Sequence, residues 1–385
     1  MKKNKFFIPQ AIVLSIFVFT SAMFASPADT SRKIVVFKKN FSNQTAQAAL
    51  LKKHGAVPNK PLRIINAMSV SLPAQALDAL NKRLGDEIIR IDDDILVKGS
   101  GKPTKLAADL PPQEMPWGME RIGADIAWVD STGSAVNVAI LDTGVDLDHQ
   151  DLAANIKGNY NAINPRKSAQ DDHGHGTHVT GIIAAMNNEI GVVGVGSQIN
   201  IYAVKVLDRT NEGYLSDIVD GLQWCIDNNI QVINMSFGSL STNQSYHDAF
   251  IAVHNAGIVQ VAAAGNTGGS GGAILYPAKY PETIAVSSVG SSNQLSGSSS
   301  RGAEIDLAAP GVQINSTYND GLYTTMSGTS MAAPHVTGAA ALVLSLYGTL
   351  TPDEVKEKLK STAEDLGLPS NEQGAGLVRA DLAVF

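Results

Sequence analysis

Three segments carry side chains that could cooperate in nucleophilic catalysis. VNVAILDTGVD sets Asp142 directly after a buried-strand pattern, and DDHGHGTHVTG sets His175 at a helix start between Gly174 and Gly176. TMSGTSMAAPHVTGAAALVL sets Ser330 at the head of an apolar helix. A serine hydroxyl is a weak nucleophile and needs a base within hydrogen-bond reach. Histidine takes that proton near neutral pH, and a carboxylate on its other ring nitrogen fixes the tautomer and stabilises the imidazolium. The helix at Ser330 would aim backbone N–H groups and a positive dipole end at charge developing on a carbonyl oxygen. Pro334 is expected in that helix's first turn, where a missing N–H is tolerated. Singly, each residue has an ordinary reading: a turn residue for the aspartate, a packed histidine, a helix cap for the serine. Their combination, with small residues framing each, favours the chemical one.

The elements that must position these groups are legible as alternating strands and helices. VNVAIL, INIYAVKVL, QVINMS, IVQVAAAG, TIAVSSV and IDLAAPG are apolar runs of strand length, separated by helical segments. Continuous apolar strands of this kind predict a mostly parallel sheet covered by helices on both faces, a three-layer α/β domain with catalytic groups at the carboxyl ends of its strands. Before it, Arg32 to Lys98 reads strand, helix, strand, strand, helix, strand, which predicts a small α+β unit of ferredoxin-like type. Its last strand is read as the single run IIRIDDDILVK. Residues 99–112, GSGKPTKLAADLPP, lack apolar periodicity and read as a linker.

Residues 1–28 read as a signal peptide: Lys2, Lys3 and Lys5 precede an apolar run from Ala11 to Phe19, and Ala22, Ala25 and Ala28 offer cleavage positions. The run is short for a membrane span. The expected organisation is therefore signal peptide 1–28, small domain 29–98, linker 99–112 and main domain 113–385, exported to the extracellular space or a periplasm. In this chain of 385 residues with 44% hydrophobic and 17% charged positions, neither disorder nor a membrane bundle is indicated. Residues 29–110 carry about +6 and those after Leu110 roughly −16, so the main domain is a poor partner for nucleic acid. The single cysteine, Cys225, excludes an internal disulfide and lacks a basic neighbour, so it reads as inert. His173, His175 and His178 with Asp171 and Asp172 suggest a metal cluster, but no HExxH helix accompanies them, which argues against a zinc hydrolase.

DTGVD, HGTHVTG and GTSMAAPHVTG, in that order, resemble the signature segments of subtilisin-like serine proteases, and the resemblance runs from Gln113 to the end. The Arg32–Lys98 unit resembles that family's inhibitory propeptide, which serves as intramolecular chaperone. The resemblance implies a secreted serine endopeptidase working through an acyl-enzyme and made as a self-processing zymogen, with Asp142, His175 and Ser330 as catalytic residues. Asn266, in VAAAGNTG, would give its amide to the oxyanion. Ser236, Phe237 and Gly238 on one side, and Glu212, Gly213 and Tyr214 on the other, would pair with the substrate as strands. Ala263, Ala264 and Gly265 would line the first specificity pocket, with Leu275 near its floor; with no carboxylate there, apolar or aromatic residues are expected before the cut. Structural calcium is implied, held by side-chain oxygens of Gln113, Asp151 and Asn188 and carbonyls of Met186, Ile190 and Val192. A weaker cation site would involve the carbonyls of Ala278, Tyr280 and Thr283.

The implied partners are protein or peptide substrates and the chain's own propeptide, with no stable membrane association and a monomeric state. The propeptide cut is expected at 106–112, after Leu106 or Ala108 rather than Leu110, because Pro111 follows Leu110. The rival reading is a catalytically silent module using the same fold for binding. Loss of Asp142, His175, Ser330 or Asn266 would favour it, and all four are present. A proprotein convertase would carry a further β-rich domain after the catalytic one, and an intracellular protease would lack the leader.

Overall fold

A computed structural model describes residues 30–99, 102–107, 111–268 and 272–385. The signal-peptide segment, Ala108 and Leu110 lie outside the described residues.

The small domain follows the predicted order. Strands β1 (Thr30–Phe37), β2 (Val57–Leu62), β3 (Ala67–Pro73) and β4 (Ile88–Asp93) form an antiparallel sheet in the order β2-β3-β1-β4. Helices Gln44–Lys53 and Ala74–Asn81 complete the split βαβ arrangement. Alternation along β1 decides what each face meets. Val35 and Phe37 pack with Leu51, Val70, Leu72 and Leu80 inside the domain. Ile34 and Val36 instead join the core of the main domain, beside Leu215, Ile218 and Phe250. The expected single run IIRIDDDILVK divides: β4 stays in this sheet, whereas Leu96–Gly99 departs as β5.

The expected linker also carries a strand. Lys102–Ala107 forms β6, paired with another strand of the main domain. Its residues show no strand periodicity, so the pairing is imposed from outside by a waiting edge.

The main domain is built on seven parallel strands: β7 (Asn137–Asp142), β8 (Ile156–Asn161), β9 (Asn200–Lys205), β11 (Val232–Met235), β13 (Val259–Ala263), β14 (Ile284–Val289) and β15 (Leu307–Pro310). Their order is β15-β14-β13-β11-β7-β9-β8. The polar edge strand β8, IKGNYN, was not among the predicted strands; an edge needs no apolar run. Period-two alternation splits the core into two layers. Val138, Ile140, Val232 and Val261 face the helices His175–Ala184 and Thr329–Leu346. Ala139, Leu141, Ile233 and Ala262 face the helices Leu215–Asp227 and Gln244–Asn255.

Two short strands, β10 (Glu212–Tyr214) and β12 (Phe237–Gly238), flank β5, and a hairpin of β16 (Ile314–Tyr318) and β17 (Leu322–Ser327) pairs with β6. Helix Thr329–Leu346 is apolar and long, but it is the buried core helix of this domain. Pro334 lies inside that helix rather than in its first turn. The N–H it lacks would have bonded the Ser330 carbonyl, which instead accepts the Ser236 hydroxyl at 2.9 Å.

Candidate active site

Asp142 is the last residue of β7 and His175 the first of its helix, so a strand end and a helix start meet at the mouth of the sheet. His175 Nδ1 lies 2.7 Å from Asp142 Oδ1, with both side chains fully buried. The same carboxylate oxygen accepts the Thr143 N–H at 2.8 Å. Gly176 makes the approach possible: a β-carbon there would stand 2.1 Å from the Gly144 carbonyl oxygen. Gly174 takes a left-handed φ of +99°, and a β-carbon would run into the Tyr318 ring at 2.3 Å.

The helix start is held by Asp171, considered above as a metal ligand. Its Oδ1 accepts from Thr143 Oγ1, His173 N and Gly174 N, all at 2.9 Å. Its Oδ2 accepts from Thr177 N at 3.0 Å and Thr177 Oγ1 at 2.6 Å. Asp171 is a brace tying the β7 loop to the His175 helix, and no cluster of three or more metal-ligating acids, histidines or cysteines occurs among the described residues. Lys205 donates to the Thr143 carbonyl and to Asp172 at 2.6 Å, adding a second tie. Neither Asp171 nor Lys205 was assigned a role from sequence; the DDHGHG acids beside the glycines were the available signal. His178 points away from the site and lies against the Ile314 and Thr324 carbonyls at 3.2 and 3.0 Å. Burial holds its imidazole down at about 3, so it is neutral. Burial likewise pushes the Cys225 thiol up, which suits an inert side chain.

Ser330 is the second residue of its helix, where backbone N–H groups have no partner within the helix. Its hydroxyl donates to the Ser236 carbonyl at 2.9 Å. Asn266 is oriented by its oxygen: Oδ1 accepts from Thr329 N at 3.0 Å and Thr329 Oγ1 at 3.1 Å. That leaves Nδ2 beside Gly328, where a β-carbon would stand 2.9 Å from it. Asn266 and the start of the Ser330 helix are thereby one unit, able to present two N–H donors to a developing oxyanion. Buried Asp142, His175 and Ser330, with half-buried Asn266, lie at or just beyond strand ends and helix starts at one edge of the sheet.

The predicted substrate walls are brought together, with this chain between them. β5 pairs antiparallel with β10, Val97 opposite Gly213 and Lys98 opposite Glu212, and with β12, Lys98 opposite Gly238 and Gly99 opposite Phe237. The Gly99 N–H also donates to the Asn211 carbonyl at 2.9 Å. Val97 is buried in the same apolar cluster as Leu215, Ile218 and Phe237. Behind it, two carboxylates of the small domain serve helices of the large one. Asp94 Oδ1 accepts the Ser216 N–H at 2.9 Å, and Asp92 Oδ2 accepts the Ser245 N–H at 3.1 Å. Arg32 reaches Asp94 at 2.9 Å and lies 3.8 Å over the Tyr214 ring. Lys60–Asp217 and Arg90–Asp248, both 2.5 Å, cross the same interface. Complementary charge between the two parts is thus expressed in specific pairs.

Beside Ala263, Ala264 and Gly265, the residues expected to line the first specificity pocket, Leu275 lies between Gly265 and Gly238. Its N–H donates to the Ala264 carbonyl at 2.9 Å. A β-carbon on Gly238 would stand 2.7 Å from Leu275 Cβ, and one on Gly265 would stand 2.6 Å from Leu275 Cγ. Leucine between two glycines leaves a shallow slot.

The residues assigned to calcium also converge. Gln113 Nε2 donates to the Met186 carbonyl at 2.9 Å and lies 3.4 Å from both Asn188 Oδ1 and the Val192 carbonyl. Asp151 bonds Asn188 Nδ2 at 2.9 Å and the Val192 N–H at 3.0 Å, and Ile190 N donates to Asn188 Oδ1 at 2.8 Å. Burial pushes the Asp151 carboxyl up to about 6. The Asp151 carboxylate, Asn188 Oδ1 and the Met186 and Val192 carbonyls are hard oxygen donors of the kind calcium takes, whereas Gln113 turns its Nε2 toward them. The weaker cluster differs: Thr283 Oγ1 donates to the carbonyls of Ala278 at 3.2 Å and Tyr280 at 2.9 Å, and the Lys356 ammonium sits 2.8 Å from the Thr283 carbonyl. A cation of the chain's own thus serves the Thr283 carbonyl, and the Thr283 hydroxyl serves the other two.

Comparison with known proteins agrees with this arrangement. The model of the subtilase family matches residues 133–376. Subtilisin amylosacchariticus of Bacillus subtilis subsp. amylosacchariticus is 39% identical over 396 aligned positions, covering 100% of both chains. Subtilisin of Bacillus pumilus is 46% identical over 70% of this chain and 99% of its own. A thermostable alkaline protease of Halalkalibacterium halodurans is 45% identical over 70% of this chain and 74% of its own. With a family match over most of the chain and a relative aligned end to end, the chain belongs to the subtilase family of serine endopeptidases.

Proposed function

We propose that this chain is exported as a precursor and hydrolyses peptide bonds in proteins after cutting away its own propeptide. Ser330 attacks the scissile carbonyl, His175 takes the hydroxyl proton and returns it to the leaving amine, and Asp142 holds the imidazole in the tautomer with its proton on Nδ1. The Asn266 amide and the Ser330 N–H receive the oxyanion, and water then hydrolyses the acyl-enzyme. The observation that carries this reading is β5: a strand of the chain itself lies antiparallel between β10 and β12 and runs toward Ser330, as a substrate would. A binding module would have no need of the buried Asp142–His175 pair at the end of that strand.

The register bears on processing. Gly99 lies opposite Phe237, whose neighbour Ser236 accepts the Ser330 hydroxyl on its carbonyl at 2.9 Å, so the chain reaches the nucleophile just beyond Gly99. This supports hydrolysis of the Ser100–Gly101 bond, upstream of the expected 106–112 window; Leu106 is paired with Thr324. The slot beside Leu275 supports the same choice, since it suits a small side chain better than the large apolar or aromatic one that the wall residues alone suggest. Gln113, Asp151 and Asn188 side chains with Met186, Ile190 and Val192 carbonyls would hold calcium, which pins the start of the catalytic domain to its loop. The catalytic domain acts as a monomer.

Intact-mass analysis of the precursor and its Ser330→Ala variant tests the reading, together with hydrolysis of a peptide bearing alanine before the cut. Cleavage after Ser100 in the wild type alone, and activity stopped by a serine-directed inhibitor, are expected. A wild type that matures no further than the variant and hydrolyses nothing would return the binding module to the front.

A further inference from the structure

Lys60 stands on β2, the edge strand of the small domain's sheet, where the register with β3 shifts between Pro58 and Lys60. A shift of this kind re-aims a side chain. The Lys60 ammonium is seated among three oxygens that all belong to the large domain. It donates to the Ala162 carbonyl and to Asp217 Oδ1 at 2.5 Å, and it lies 3.4 Å from Asp220 Oδ2. The Lys60, Asp217 and Asp220 side chains keep only 16, 11 and 19% of their exposure, so this cation is largely withdrawn from water. The large domain positions each oxygen by itself. Asp217 and Asp220 are three residues apart on helix Leu215–Asp227 and share a face. Tyr160, whose ring stacks on Trp224 at 5.7 Å, donates its hydroxyl to Asp220 Oδ2 at 2.8 Å. Ala162 directly follows β8, and its N–H donates to the Lys205 carbonyl at 2.9 Å.

The charges at this point do not balance. The negative charge of Asp217 opposes that of Asp220, and one ammonium neutralises one of the two. Arg63, a second propeptide cation on the same helix, is engaged at its far end with Asp227 at 2.5 Å. When the propeptide departs, Lys60 and Arg63 go with it, and removing one partner of a part-buried ion pair leaves the other charge uncompensated. We infer that the Ala162 carbonyl, Asp217 and Asp220 form a calcium site of the catalytic domain, filled by the Lys60 ammonium in the precursor and by calcium once the propeptide has left. The inference rests on the exported-precursor reading above. A divalent cation balances both carboxylates where the ammonium balances one. Carboxylate and carbonyl oxygens are the hard donors calcium prefers, and the remaining carboxylate oxygens with water would bring the count toward the about six to eight that it takes. Ammonium and calcium exclude each other, so calcium weakens propeptide binding by the same factor by which the propeptide weakens calcium binding. The site is thus created by the cut, is separate from the Gln113–Asp151 cluster, and opposes rebinding of the released inhibitor.

The test counts calcium on the full, uncut chain carrying Ser330→Ala, by equilibrium dialysis at constant ionic strength, with and without Lys60→Met. Lys60→Met is expected to bind one calcium more than its parent. Adding Asp217→Asn should remove that ion, whereas adding Asp151→Asn should leave it in place. No additional calcium in Lys60→Met, or an additional ion that survives Asp217→Asn, would overturn the inference. Should Lys60→Met fail to fold, the self-processed wild type decides. Its rate of gaining activity on dilution should rise about tenfold or more from calcium-free to calcium-saturated buffer, and by less than twofold in Asp220→Asn. A rate equally responsive to calcium in both proteins, or unmoved by calcium in both, would overturn the inference. A wild type that never cuts itself would refute the precursor reading instead, and the calcium count on the uncut chain would still decide the site.

Discussion

Replacing Leu275 by glycine should convert the specificity of the pocket. In the wild type the leucine occupies the space between Gly238 and Gly265, with atoms 2.7 and 2.6 Å from where β-carbons on those glycines would lie. An alanine or serine side chain needs only the mouth of that slot, whereas a phenyl ring has to occupy the volume Leu275 holds. Removing the leucine opens that volume to a ring. Burying a phenylalanine side chain is worth roughly 2–3 kcal/mol. Because only the bound reacting complex gains it, the ratio of kcat/KM for phenylalanine over alanine should rise about 30- to 150-fold in Leu275→Gly. The assay is a pair of peptide p-nitroanilides differing only in alanine or phenylalanine before the chromophore. Leu275→Val should fall between, since it removes one methylene. A wild type that already prefers phenylalanine tenfold, or a Leu275→Gly ratio within threefold of wild type, would refute the reasoning.

Asn266→Ala should lower kcat by on the order of 10²–10³ with little change in KM, the loss established for this kind of donor in subtilisins themselves; steady-state kinetics on the small-residue substrate checks it. Asp94→Asn removes a charged cap from helix Leu215–Asp227 and a partner of Arg32, so the processed complex should loosen by about 1–2 kcal/mol, read as faster appearance of activity on dilution. His178 has a folded value of about 3, below the ordinary unfolded value of about 6.5, so the unfolded chain binds its proton more readily. Its contribution is full above pH 6.5 and is lost as pH falls toward 3, by roughly 2–3 kcal/mol at pH 4.5. His178→Gln should flatten that slope in denaturant melts of the inactive Ser330→Ala chain. In the same background, calcium at a hundredfold excess over its dissociation constant should add about 2.7 kcal/mol of stability, and Asp151→Asn should abolish most of that increment.

The groups proposed to react were legible because each sits in a short local frame. Asp142 follows an apolar strand, His175 lies between two glycines, and Ser330 opens an apolar helix, so neighbours within a few residues fix their settings. The seven-strand sheet was readable for the same reason, apart from its polar edge β8. Features that depend on distant partners were not. The division of IIRIDDDILVK comes where Asp92 and Asp94 turn to cap helices more than a hundred residues away, and β6 exists only because β17 offers an edge. Pro334 was misplaced because the group that compensates for it, Ser236, lies between β11 and β12, far from the helix in sequence. Leu275 narrows a slot formed by glycines of two separate segments, which no local pattern displays.

The caps supplied by Asp92 and Asp94 bear on the lifetime of the active enzyme. Tyr214, which precedes helix Leu215–Asp227, makes no side-chain cap, so in the precursor that helix end takes its anionic partner from the other domain. Once the propeptide departs, the N–H groups of Ser216 and its neighbours face water, and β10, one wall of the substrate cleft, adjoins the loosened turn. The mature enzyme then keeps a shape that was completed by a part it no longer holds. Its endurance is governed by how slowly it unfolds rather than by how favourably it would refold. The helix start that anchors the cleft wall is where such unfolding should begin, and faster amide exchange at Ser216–Ile218 after propeptide release would mark the site of that first opening.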